Sequence, residues 1–508
     1  MAITCTAGSP GKFPDDRAGH AVLHNFCYMN KLFLNFLFSP SLIFFISSCA
    51  FAQTRPGVGE VPQSRSVAES GPLSLNKAIG LALQHYPSIQ AREAQVRSAQ
   101  AAVTEAKDQR LPSLNLFEQV NMGTTNNLGG DYFSIGIVPS ITGVGARSEN
   151  LSTVSSGNIG VAYLQWQVTN FGGFKAGVKE AGSRLKVDSM DLQKERFYIA
   201  SIVLQSYLDL LKNYELSLIQ WENLRRADTI RMAIVNYVLS GLRPGVDSSL
   251  AAAEYSKARL DYMDISNRVS QSKLQLSLLT ALDTASIEPD LSNDSLLFRA
   301  LGNAPYADTV TGHPFLNYFH SVYENGQARE NLIRKAYLPK MYVLGAGWMK
   351  GSSINEDGSF NKDLYSGLGY TRSNYLAGIG VTYDLFNGRR EKDRLNVQKF
   401  QTEIALHNYE EQRQVLANAS LQASVNLLTA IEKFNEIPVQ LNAATNAYRQ
   451  RLTQYNAGLS NIIDLTNALY VLNRAQTDLI NTREGVWRAI VQKAYAGNGI
   501  YQLLSDLK

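Results

Sequence analysis

The sequence predicts a mixed α/β membrane chain in which a few long strands run into very long helices, the whole arrangement written twice. Three observations predict it. Helix-ending landmarks recur in the same order in both halves. Segments about ten residues long alternate with period two. Two segments of more than sixty residues are almost free of proline and are followed by heptad-spaced apolar stripes.

The landmarks come first. Tyr86-Pro87 is followed by Leu111-Pro112, and His313-Pro314 by Leu338-Pro339, with a proline-to-proline distance of 25 in both cases. Asn170-Phe171-Gly172-Gly173 recurs as Leu385-Phe386-Asn387-Gly388. Gly241-Leu242 leads to Asp247, and Gly458-Leu459 leads to Asp464, six residues from Gly to Asp each time. The offsets between copies are 227, 215 and 217, so few insertions separate them. Two tandem repeats are expected, at 73–281 and 313–500, joined by a linker at 282–312 and ending in a tail at 501–508.

Each copy reads helix, strand, loop, strand, long helix, turn, helix. Ile89, Val96 and Val103 recur every seven residues in the first helix. A residue before proline is pushed out of the α region, so Leu111 and Leu338 end their helices. Strands are expected at about 112–122, 157–170, 339–350 and 373–386. In the last of these, Tyr375, Ala377, Ile379, Val381, Tyr383 and Leu385 alternate with Asn374, Gly378, Gly380, Thr382 and Asp384, with Leu376 the exception. Tyr342, Leu344, Ala346 and Trp348 share one face of the strand before it. Such strands have the length to cross a bilayer. Long helices follow at 174–239 and 389–456; at 1.5 Å per residue each is a rod of ~100 Å. Pro438 should kink or break the second. The shorter helices 246–281 and 462–498 complete each copy. Leu465, Ala468, Leu472, Ala475, Leu479 and Val486 give the latter a coiled-coil seam.

Composition sets limits. Charged residues make up 18% of the 508, below the ~25% of an average soluble protein. The net charge of +4, without a block of like charge, argues against a nucleic-acid partner. Apart from one stretch near the start, no run of ~18 apolar residues exists, which excludes a bundle of membrane-spanning helices.

That stretch is read as a signal peptide with an upstream extension, spanning 1–52. Lys31 supplies the basic region, Leu32 to Ile46 the apolar core, and Ala50-Phe51-Ala52 the cleavage site, with translation starting at Met29. A competing reading takes Ile46-Ser47-Ser48-Cys49 as a lipoprotein box with an acylated Cys49. Cleavage after Ala52 removes Cys5, Cys27 and Cys49, all three cysteines of the chain. Residues 53–72 read as a flexible leader.

Four strands per chain cannot sit in lipid as an open sheet, because the edges leave backbone groups unsatisfied. Barrels need about eight strands to close, so chains must associate. No catalytic constellation is present in the pattern. His313 and His320 could share a helical face but lack a third ligand. Ser74 to Lys77 and Ser183 to Lys186 fit S-x-x-K without the companion motifs. No phosphate loop occurs, and no cofactor is expected. Arg389, Arg390, Lys392 and Arg394 should form a solvated or headgroup-facing ring. A periplasmic coiled-coil scaffold would explain the rods but not the strands.

Taken together, the landmarks resemble the TolC-type outer-membrane factors of bacterial efflux and type I secretion. The resemblance covers about 75–500. It rests on Leu73-Ser74-Leu75-x-x-Ala78-x-x-x-Ala82-Leu83 leading to Tyr86-Pro87, the two Leu-Pro helix ends, the two Phe-x-Gly junctions and the two Gly-Leu turns. It implies a homotrimer with a 12-strand β-barrel, four strands per chain, continued by a long α-helical periplasmic tunnel. It implies a passive channel rather than an enzyme, gated at its tip, docked by a periplasmic adaptor and served by an inner-membrane pump of RND or ABC type. The segment 282–312, with the region near Pro438, resembles the equatorial belt. By the same resemblance, Asp464 lines the constriction, Asp247 and Tyr455 link tip helices, and Gly241, Leu242, Gly458 and Leu459 form the adaptor-docking turns. Asn467 stands where the best-known member of that family has a second constriction aspartate, and Ser460 where that member has an inter-subunit arginine. The bland alternative makes the glycines helix caps and the two aspartates helix-start residues.

Overall fold

The computed structural model describes residues 72–124, 126, 148–291, 312–355 and 357–506. The signal segment with Cys49, the leader up to residue 71, residues 292–311 of the linker and most of the first strand connection lie outside the described residues. Everything described belongs to one unit, 66–508.

The described residues open with α1 (Leu75–His85), which starts where the Ser74 hydroxyl accepts a hydrogen bond from the Lys77 N–H at 3.4 Å. The first S-x-x-K pattern is therefore a helix cap. Tyr86 is extended ahead of Pro87, so the helical pattern breaks there and restarts as α2 (Pro87–Asp108), with proline at its first position. Leu111-Pro112 then turns the chain into β1 (Ser113–Thr124). The strand β2 (Val154–Thr169) starts three residues earlier than the alternation suggested.

At the first strand-to-helix junction Phe171 and Gly172 adopt φ of 50° and 100°. Asn170 Oδ1 accepts from the Phe174 N–H at 2.9 Å and caps α3 (Gly173–Leu239), a helix of 67 residues. A turn leads to α4 (Gly245–Thr280), a 3-10 turn at Thr284–Ser286, and α5 (Pro314–Ala336).

The second half continues with β3 (Lys340–Ser352) and β4 (Arg372–Thr382). β4 is shorter than the alternation to residue 386 suggested. Asp384 Oδ1 accepts from the Phe386 N–H at 2.9 Å, and this side-chain turn ends the strand and starts α6 (Asn387–Asn456). Of the two outcomes expected at Pro438, a break does not occur: α6 runs through it as one helix. Pro438 is exposed, so the backbone hydrogen bond its ring forbids falls on the solvent side of the helix. The chain closes with α7 (Ile462–Ala496) and α8 (Ile500–Asp506), a short helix where only a tail was expected.

The four strands form one antiparallel sheet in the order β1-β2-β3-β4, leaving β1 and β4 as its edges. Cross-strand partners share a face. Leu116 pairs with Ala162, Ala162 with Gly347, and Gly347 with Tyr375. That face continues through Leu114, Leu164, Trp166, Val343, Ile379 and Val381, and Tyr375 is 90% exposed on it. The opposite face carries Asn115, Gln119, Gln165 and Asn374, and also a packed patch of Ile159, Val161 and Ala346 against Tyr163 and Trp348. Among the described residues, no helix is long and apolar enough to cross a membrane.

Each rod has partners along its length: α3 packs on α2 toward the sheet and on α4 beyond, while α6 packs on α5 and then α7. The largest core lies partway along them. Phe197, Val203, Leu204, Tyr207 and Leu210 of α3 meet Ile79 and Ala82 of α1, Leu276 of α4, Trp487 and Ile490 of α7, and Leu503 of α8. Tyr207 donates its hydroxyl to the Leu73 carbonyl at 2.9 Å and accepts from the Asp290 N–H at 3.1 Å. Leu73 N–H reaches the Glu288 carbonyl at 2.7 Å, and Ile287 is fully buried. The start of the linker is thus stitched to the segment ahead of α1.

Candidate functional site

The two turns at the far end of the rods share one backbone design. After α3, the Leu242 N–H donates to the Tyr237 carbonyl at 2.9 Å and the Gly241 N–H to the Val238 carbonyl at 3.0 Å. After α6, Leu459 N–H reaches the Gln454 carbonyl at 2.8 Å and Gly458 N–H the Tyr455 carbonyl at 3.1 Å. Both are Schellman caps, which need a left-handed residue. Gly241 and Gly458 supply it, at φ 71° and 75°. No atom lies within 4 Å of where a side-chain carbon would sit on either glycine. Backbone conformation, not crowding, therefore demands glycine here. Leu242 and Leu459 follow, 69% and 80% exposed, and present two apolar side chains to solvent.

Both aspartates sit in the first turn of the helix after the cap. Asp464 occupies the third position of α7; its N–H donates to Asn461 Oδ1 at 2.8 Å, and its Oδ2 accepts from the Ser460 hydroxyl at 3.2 Å. Asp247 occupies the third position of α4, is 8% exposed, and its N–H reaches the Pro244 carbonyl at 3.1 Å. Negative charge there is favoured by the exposed N–H groups of the helix. The helix-start role is therefore real for both. Asn467 lies one turn beyond Asp464 on α7 and is exposed.

Tyr455 joins the two hairpins. It is 3% exposed in a cluster with Ile234 of α3, Ala251 of α4, and Ile462 and Leu465 of α7. Its hydroxyl has no hydrogen-bond partner among the described residues, so no direct Asp247–Tyr455 hydrogen bond exists within the chain. Burial and then the Asp247 charge push its phenol above the ordinary value, partly offset by Arg243. Beside it a cleft of about 370 Å³ is lined by Arg225, Arg226, Tyr448, Tyr455 and Leu465. Burial holds the Arg226 guanidinium below its usual range; it donates to Gln476 at 2.8 Å.

Other sequence candidates resolve locally. His313 is fully buried as the cap of α5, its Nδ1 accepting from the Phe315 N–H at 3.2 Å and its Nε2 lying 3.0 Å from the Tyr495 carbonyl. His320 sits at the surface beside Glu324, so the two histidines form no pair. The Ser183 hydroxyl donates to the Glu180 carbonyl of its own helix at 2.7 Å. Arg389, Arg390, Lys392 and Arg394 are exposed just past β4, with Arg390 3.3 Å from Asp384. Among the described residues no group of three or more His, Cys, Asp or Glu could hold a metal ion. The residue that sequence reading missed is Arg243, whose partner Tyr455 lies 212 positions away.

A sheet with an exposed apolar band is continued by paired rods that end in two capped turns. Residues 78–282 and 324–492 match the family model described as outer membrane efflux protein, and the chain belongs to that family. The fold is similar to the outer-membrane channel OprN, at 15% identity over 84% of this chain and 90% of that one, with a TM-score of 0.64. It is similar to CmeC of Campylobacter jejuni, at 15% identity over 85% and 89% with a TM-score of 0.65. It is also similar to VceC of Vibrio cholerae, at 16% identity over 84% and 96% with a TM-score of 0.64. No curated protein matches. The chain is an outer-membrane efflux protein, and family membership sets aside the scaffold reading.

Proposed function

We propose that three copies of this chain close a 12-strand barrel whose helices continue as a periplasmic tunnel. In this reading the protein is the passive exit duct of a tripartite efflux pump or type I secretion system. The observation that carries it is the open four-stranded sheet with edges at β1 and β4 and an exposed apolar face. An open edge is not tolerated in lipid, and closure needs further copies. Val397, Phe400, Ile404, Leu421, Val425 and Leu428 leave apolar side chains exposed along α6, as a helix with unmet neighbours would.

The tip is read as the gate. Three copies of Asp464 around one axis would focus negative potential in a narrow tunnel and favour cations. Asn467 would extend that lining, and Asp247 and Tyr455 would hold the closed arrangement. Leu242 and Leu459 on their glycine turns would meet a periplasmic adaptor, which couples the duct to an inner-membrane pump of RND or ABC type. No phosphate loop exists in the sequence, so the driving force comes from that pump. The two halves are read as copies of one unit, at 73–281 and 313–500, with 282–312 as the belt linker. Residues 1–52 are read as the export signal, giving an unlipidated start at Gln53 rather than an acylated Cys49.

Mass measurement of the detergent-solubilised protein tests the assembly. Three chains per particle are expected; a monodisperse monomer with a folded sheet would sink it. The same spectrum distinguishes a Gln53 start from a lipid on Cys49.

A further inference from the structure

We infer that Arg243 is a clamp between the two helical hairpins of one chain, a positioning residue that sets the resting state of the tip. The inference rests on the gated-duct reading above and adds a residue to it.

Arg243 stands in the turn between α3 and α4, directly after Gly241-Leu242. Its Nη2 donates to the Tyr455 backbone carbonyl at 2.8 Å. Its guanidinium carbon lies 4.5 Å from the centroid of the Tyr455 ring. One side chain thus makes two different contacts with one residue of the other hairpin. Both favour arginine. The planar guanidinium can lie on an aromatic face and still donate from its edge, which an ammonium cannot do as well.

The target is suited to a cation. Tyr455 belongs to the last turn of α6, and its carbonyl already accepts from the Gly458 N–H at 3.1 Å. Carbonyls at a helix C-terminus carry the negative end of the helix dipole. The ring beneath is almost wholly buried, so the cation–π contact is poorly screened on one side. Pro244 follows Arg243 and restricts its backbone to extended conformations, so less freedom is lost when the clamp closes.

The rest of the cluster around Tyr455 is apolar, and the nearest other polar tie between the hairpins is the Arg226–Gln476 bond further up the rods. Ile234, Ala251, Ile462 and Leu465 pack around Tyr455 without directional bonds. Packing of that kind permits sliding, whereas the Arg243 contact fixes which turn sits against which. Moving one hairpin away from the other must break both of its contacts.

The contacts use the Tyr455 carbonyl and ring and make no use of its hydroxyl. That separates the clamp from a hydroxyl-mediated link and defines the test. The purified full-length assembly is placed in planar bilayers, and resting conductance is recorded for the unmodified protein, Arg243→Ala, Arg243→Lys, Tyr455→Phe and Tyr455→Leu. Arg243→Ala should raise the open-to-closed ratio roughly tenfold, the scale of one charge-assisted hydrogen bond with a cation–π contact. Arg243→Lys should fall between. Tyr455→Phe, which keeps the ring and the carbonyl, should raise resting conductance less than Tyr455→Leu, and Tyr455→Leu combined with Arg243→Ala should add less than the two single effects. Assembly mass and melting temperature should stay unchanged in Arg243→Ala. If the unmodified protein conducts and Arg243→Ala keeps its resting conductance, the clamp is wrong and the duct stands. If Arg243→Ala fails to assemble, the residue is structural and the clamp is overturned. If the unmodified protein makes no channel at all, the duct reading itself fails.

Discussion

The Ser460 hydroxyl donates to Asp464 Oδ2 at 3.2 Å, from the residue that closes the turn to the carboxylate that opens α7. With Asn461 capping the Asp464 N–H, this carboxylate is held in one place within its own chain. A fixed carboxylate suits a charge ring better than a free one, and a helix-start role does not compete with it. The two roles separate on substitution. Asp464→Ala should cost about 0.5–1 kcal/mol of helix stability as a lost first-turn charge. In a bilayer it should also shift the reversal potential in a salt gradient toward zero, by loss of cation preference. An unchanged reversal potential would leave only the helix-start role.

Gly241 and Gly458 offer a sharper contrast. Space beyond both is open, so side-chain size is not the obstacle. The obstacle is the left-handed backbone, which disfavours an ordinary residue by about 1–2 kcal/mol and a β-branched one most. Gly241→Asn and Gly458→Asn should therefore preserve efflux in a susceptibility assay. The double valine variant should abolish efflux while the barrel still assembles. Equal activity of the asparagine and valine variants would show that these turns play no part in transport.

His313 makes stability depend on pH. Burial is the larger influence and lowers its pKa, with the Tyr495 carbonyl pulling the other way. Its Nδ1 must stay unprotonated to accept from the Phe315 N–H, so the fold favours the neutral ring. The unfolded chain takes up its proton near pH 6.5. Stability from this group is therefore complete above about pH 6.5 and is lost as pH falls from there toward the lower folded value, by up to about 1.4 kcal/mol per pH unit. Melting curves of the solubilised protein between pH 7.5 and 5 should show this slope, and His313→Gln should flatten it. A slope unchanged by that substitution would assign the effect elsewhere.

Tyr207 should behave as a structural tie. Tyr207→Phe keeps the ring in the core but removes the bonds to the Leu73 carbonyl and the Asp290 N–H. A buried polar group left unpaired costs about 1–3 kcal/mol. The expected readout is a lower melting temperature and faster protease cleavage close to the start of α1. Unaltered cleavage there would mean that the segment is held by other contacts.

Much of this architecture could be read from local chemistry. Tyr86-Pro87 and Leu111-Pro112 end helices because proline restricts its neighbour, wherever they lie in the fold. The Gly-Leu turns show in the sequence because a left-handed cap nearly always calls for glycine. Pro438 does not interrupt its helix, since it is exposed and the helix packs on its other side. The faces of the sheet could not be assigned from alternation alone, because both carry large apolar residues: Leu344 and Trp348 on one, Val343 and Met349 on the other. Arg243 was invisible for a different reason. Its contact with Tyr455 joins turns in different halves of the chain, and nothing local to either marks the other.

The core around Phe197 and Tyr207 has a mechanical consequence. It grips α3 over 197–210 and leaves the 29 residues 211–239 to reach the turn. At 1.5 Å per residue that arm, which travels with the helix packed on it, is about 44 Å long. A tilt of about 5° where the arm leaves the core would sweep its end by about 4 Å, nearly a side chain's length. The packed collar would thus act as a fulcrum: adjustments too small to disturb its buried residues would become side-chain-sized displacements at the far end.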